Sequence, residues 1–208
     1  MVRKPLPFPA PGGFSSNGGS VNPKLINFVV FQVGWFACVL SAANGLPWAG
    51  ALAVGLIVVF HIATAEHRAH EVQLLVLAMV LGLVFDSLLV STGWVSYPSG
   101  MLVPGLAPYW IVAMWALFAT TLNLSMGWLK DSLVLASVLG AVFGPLSYFA
   151  GQRLGAIVLV DFISSMVLLA IIWALVMPIL VFASNRFGGV RKPVQLGRPR
   201  ELGGVTDD

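Results

Sequence analysis

Apolar residues in this chain gather into six long runs, at about 25–43, 46–64, 72–91, 109–128, 132–150 and 156–183. None alternates with a period of two. Each matches the roughly 20 helical residues that cross a hydrocarbon core of about 30 Å. Helix-breaking segments separate them: Asn44-Gly45-Leu46-Pro47, the polar stretch from Glu66 to Glu71, a Gly/Pro-rich loop from Ser91 to Pro108, and Gly127 to Asp131. The pattern predicts an all-α fold, a polytopic integral membrane bundle of six transmembrane helices over residues 24–184. The first run begins only near Leu25 and the second follows at once, so an uncleaved first span is expected rather than a signal peptide. Residues 1–23, rich in Pro, Gly, Ser and Asn, and residues 185–208, basic and then Gly-rich and acidic, are expected to be disordered tails.

Composition agrees with the pattern. Of the 208 residues, 58% are hydrophobic and 9% charged, against roughly 25% charged in soluble domains. The single cysteine, Cys38, excludes an intramolecular disulfide and any cysteine-based metal cluster. A net charge of +3 does not point to nucleic acid, because the basic residues stand at run ends and in the tails. With the runs alternating in direction, ten of the eleven Lys and Arg side chains fall on one side and Arg153 alone on the other. The positive-inside rule then places both termini in the cytoplasm. Trp110 and Trp128, 18 residues apart, are expected to mark the two interfaces of the fourth span.

Small residues indicate how such helices meet, since lipid tails are as apolar as Leu and close backbone approach must drive association. Ala136, Gly140 and Gly144 recur every fourth residue, as do Ala51 and Gly55, and Gly151 and Gly155. These read as packing faces within the bundle, with a homo-oligomer interface as the second reading. Asn27, Gln32, Thr120, Thr121 and Asn123 are expected to hydrogen-bond between helices.

Charges at membrane depth carry the candidate chemistry. Asp86 and Asp161 are the acids expected well inside spans, and both fall in the half of the bundle that holds Arg153. The stretch from Gly144 to Gly155 adds Tyr148 and Gln152 around a Gly-Pro step. An Arg fork suits bidentate pairing with a carboxylate or phosphate. The candidate ligand-binding set is therefore Asp86, Arg153, Asp161, Tyr148 and Gln152, as a pocket opening outward. The competing reading pairs Arg153 with one of the acids as a packing clasp. His61, Glu66, His67, His70 and Glu71 cluster near the other side with some four-residue spacings, but without the His-Glu-x-x-His order of a zinc helix. No metal, cofactor or catalytic residue is expected.

Three blocks carry a family resemblance. They are Asn27 to Val39, Tyr109-Trp110 through Trp115–Leu122 to Ser125–Leu129, and Gly144–Tyr148 with Gly151, Arg153, Leu154 and Gly155. Together with Leu81-Gly82 and Asp86-Ser87, they resemble an uncharacterised bacterial membrane family, domain of unknown function 2878, over about residues 25–183. The resemblance implies a six-span inner-membrane protein without an assigned activity, often encoded near lipid-modifying functions such as cyclopropane fatty-acid synthesis. The expected function is a non-catalytic inner-membrane protein that binds a lipid or small amphiphile and assists envelope lipid remodelling or transport. Membrane lipids are the expected partners. The alternatives are a small-solute transporter or its substrate-capture subunit, a lipid-modifying membrane enzyme using the His/Glu cluster, and a structural subunit of a membrane complex.

Overall fold

The computed structural model describes residues 22–187. The tails expected at 1–23 and 185–208 fall, except for residues 22–23 and 185–187, outside the described residues. The chain forms α1 (Pro23–Ala43), α2 (Pro47–Thr64), α3 (Arg68–Ser91), α4 (Tyr109–Leu122), a 3-10 helix (Gly127–Asp131), α5 (Leu133–Arg153) and α6 (Phe162–Arg186). Helix starts follow local chemistry. Pro23 and Pro47 each occupy the first turn, where a missing N–H costs nothing. Asn22 Oδ1 accepts from Lys24 N at 3.0 Å, and Ser132 Oγ accepts from Leu135 N at 3.2 Å.

Five helices, all but α4, are long and apolar enough to cross a membrane. The chain is a multi-pass membrane protein built mostly of helix, with exposed Leu, Val, Ile and Phe on its outer surface. α4 differs from the run predicted at 109–128. Its 14 residues span about 21 Å at the helical rise, and nine of them are buried. It sits inside the bundle, packed on α1, α2, α3 and α6. The helix stops at Leu122 because Thr120 and Thr121 turn their hydroxyls back on Leu117 O and Phe118 O, and Asn123 turns away to a side-chain partner on α3.

The run predicted at 156–183 is also redrawn. Gly155 takes a left-handed φ of 89°, and β2 (Val158–Leu159) pairs antiparallel with β1 (Val95–Ser96), Val95 opposite Leu159. Only then does α6 begin, with Asp161 at its N-cap. Asp161 is therefore an exposed helix-end residue, not one inside a span. At the opposite end, α3 starts a turn earlier than predicted and carries Glu71 within it. Trp110, expected at an interface, is fully buried. It lies edge-on to Tyr97 at 5.8 Å, and its Nε1 donates to Ser99 O at 3.1 Å.

α1 and α2 form one hairpin, α5 and α6 another, and α3 pairs with α4. The Ala136/Gly140/Gly144 face is covered from within: a Cβ on Gly140 would collide with the Trp173 carbonyl, and one on Gly144 with the Trp173 ring. Removing side chains from α5 at these positions is what brings α6 close. Helix α5 runs unbroken through Gly144-Pro145.

Candidate functional site

Asp86 is the centre of the buried polar structure at the end of the bundle where α3 finishes and α4 begins. It is fully buried. Tyr97 Oη and Tyr148 Oη each donate to its Oδ1 at 2.6 Å, and Trp115 Nε1 donates to its Oδ2 at 2.7 Å. The three donors come from the β1 loop, α5 and α4, so one carboxyl group ties three separate segments to α3. Trp115 reaches it because residue 82 is glycine: a Cβ there would collide with the indole ring. Among the described residues no buried side-chain N or O lacks a hydrogen-bond partner. A site so completely satisfied is a clasp, since a ligand would have to displace a bond for each one it made.

Trp115 and Tyr148 are also a wall. On their far side lies a groove of about 710 Å³ between α1 and α5, floored by α4 and Trp173 of α6. Trp115 and Trp173 stack at 4.9 Å with 9° between their planes, and Phe118 meets Trp173 edge-on at 5.5 Å. Gly144 makes room for the second indole as Gly82 does for the first. α1 supplies Phe28, Phe31, Gln32 and Trp35 to one bank, and α5 supplies Phe143, Leu146, Ser147 and Ala150 to the other. The rim is open, with Phe28, Phe143, Leu146 and Trp128 about half exposed or more. No charged side chain lines it. Its size falls in the range of roughly 300–1,000 Å³ typical of small-molecule sites.

The candidate residues from the sequence are placed as follows. Asp86 and Tyr148 are brought together directly. Gln152 Oε1 accepts from Leu159 N at 2.8 Å and so holds the α5–β2 turn. Arg153 ends α5 as an exposed residue, and Asp161 Oδ2 accepts from Ser164 Oγ at 2.7 Å. The expected joining of Asp86, Arg153 and Asp161 does not occur: phenols and an indole surround the buried acid, while the other two residues remain at helix ends. The residues that sequence reasoning passed over are Tyr97, Trp115 and Trp173. Only the glycines opposite the two indoles hint at them, and a glycine does not name its neighbour.

A second polar cluster closes the other end of the bundle. Glu71, also buried, meets His61 Nε2 at 3.0 Å through Oε2 and accepts from Asn123 Nδ2 at 2.7 Å through Oε1. Lys130 Nζ donates to Asn123 Oδ1 at 2.6 Å and to Ser184 O at 3.3 Å. Five elements (α2, α3, the α4 end, the 3-10 helix and α6) converge there. Among the described residues no group of three or more His, Cys, Asp and Glu side chains is arranged to hold a metal ion. Neither four-residue histidine–carboxylate spacing forms a pair; Glu71 instead bonds to His61 of α2 and to Asn123.

Among curated proteins and among solved structures nothing matches the chain. One family model does, described as Protein of unknown function (DUF2878), over residues 24–179. That span takes in all six helices but the last residues of α6. The chain thus belongs to this family, whose description assigns no activity.

Proposed function

We propose that this chain is a non-catalytic protein of the bacterial cytoplasmic membrane that binds a lipid or small amphiphile in the α1–α5 groove, as an accessory to envelope lipid remodelling or transport. In this reading the chain crosses the bilayer six times with both termini in the cytoplasm. α4, the turn after it and the 3-10 helix together make the fourth crossing. An irregular segment at membrane depth is tolerable there because surrounding helices bury it.

The observation that carries the proposal is the groove itself. An apolar, aromatic-lined cleft that opens sideways between two exposed helices faces the hydrocarbon region, where its most abundant visitors are acyl chains. Within a bilayer no hydrophobic force closes such a gap, so α1 and α5 stay apart unless packing or a ligand fills the space between them. Asp86 serves the site indirectly, by fixing Trp115 and Tyr148, which line it. Gln152, Arg153 and Asp161 stand outside it.

The test is to fill the groove. Native mass spectrometry of the detergent-purified protein is expected to show a retained lipid in the wild type, lost in Ala150→Trp and kept in Val134→Trp. Val134 is 76% exposed and is no part of the groove lining, and so controls for adding an indole to α5. Equal lipid retention in both variants would overturn the proposal.

A further inference from the structure

Gln32 is out of place in this groove. It is the tenth of the 21 residues of α1, close to mid-depth, and it lines a cleft that is otherwise almost wholly apolar. The other amide of α1 behaves as an interhelical tie: Asn27 Nδ2 donates to Thr120 O at 3.2 Å, and its Oδ1 accepts from Ser125 Oγ at 2.7 Å. The Gln32 amide has no hydrogen-bond partner among the described residues, and it is not sealed away, since no buried polar side-chain atom lacks a partner. It is half-buried and faces the groove space. The indole N–H groups of Trp35, Trp128 and Trp173, all in the lining, likewise have no acceptor among the described residues.

Donors outnumber acceptors among these groups. An indole offers only a donor, and a glutamine amide offers two donors with one acceptor. Each unpaired donor in a hydrocarbon setting costs free energy that a ligand acceptor would recover. The only hydroxyls in the lining are engaged as donors: Ser147 Oγ bonds to Gly144 O at 2.7 Å, and Tyr148 Oη bonds to Asp86. With no Lys, Arg or His in the lining, an ionised group would lose its hydration and gain no countercharge.

Building on the groove reading, we infer that its ligand is an uncharged long-chain lipid bearing a carbonyl acceptor, of the acyl-ester class. Gln32 is the residue that selects the carbonyl. The chain lies against Phe31, Phe118 and Phe143, and the carbonyl meets the amide of Gln32.

The experiment uses the purified full-length protein and a chain-brominated long-chain methyl ester, which quenches the groove tryptophans. Competitors are the unbrominated methyl ester, an alkane of equal length and the corresponding carboxylate, each read by recovery of fluorescence. The ester is expected to compete about three- to tenfold better than the alkane, the margin of one net hydrogen bond, with the carboxylate weaker than the ester. In Gln32→Leu the two should compete equally while both still bind. Equal competition by ester and alkane in the wild type would overturn the inference and leave the groove reading standing. An ester preference kept in Gln32→Leu would do the same. Quenching no greater in the wild type than in Ala150→Trp would overturn both.

Discussion

Two regions of this protein share a wall, and they are opposites. On one side of Trp115 and Tyr148 lies Asp86, fully buried, with a phenol, a second phenol and an indole donating to its oxygens. On the other side lies the groove, whose central amide and three indole N–H groups have no partner among the described residues. Both place polar groups among apolar side chains, where each is expensive unless it finds a partner. The difference is where the compensation comes from. At Asp86 the fold supplies every donor, so the residue serves the fold. In the groove the described residues supply no partner for these groups, and the proposed ligand is what would supply one.

The largest effect that could break this comparison is at the clasp. Asp86→Ala leaves three buried donors without an acceptor, and each such group costs about 1–3 kcal/mol. Unfolding in mixed micelles is expected to show a loss of about 3 kcal/mol or more, with α3, α4, α5 and the β1 loop released together. A loss below about 1 kcal/mol would mean that the cluster is not the clasp described. The smallest effect is expected at Arg153, the basic residue at the centre of the sequence-based candidate set. Arg153→Gln, at an exposed helix end, should change stability by no more than about 0.5 kcal/mol and leave lipid retention unchanged. A large loss of lipid in that variant would return the binding site to the end of α5.

Much of this was legible in the residues. The apolar runs located α1, α2, α3 and α5 to within a few residues, because a membrane helix must satisfy its backbone internally and its ends are marked by Pro, Asn and Ser. The Ala136/Gly140/Gly144 spacing identified a packing face correctly, and α6 covers it. Of the stretch from Gly144 to Gly155, Gly144, Leu146, Ser147, Tyr148 and Ala150 line the groove, while Gln152 and Arg153 lie outside it. What the chain could not disclose were pairings between distant residues. Asp86 meets Tyr148 across 62 positions and Trp115 across 29, and neither spacing has a local signature. The apolar run through Val158, Leu159 and Val160 reads as helix interior and so places Asp161 in a span, although after the left-handed Gly155 Val158 and Leu159 pair as a strand instead. Asn27 and Gln32 looked alike in sequence. Only their surroundings separate the helix tie from the groove amide.

The most direct measurement is a structure of the full-length protein determined in lipid nanodiscs, beside that of Ala150→Trp. The account predicts continuous chain-shaped density between α1 and α5 in the wild type, passing Gln32 and Phe143, and none in the variant. A wild-type groove closed by α1 packing directly on α5, with no density between them, would contradict it.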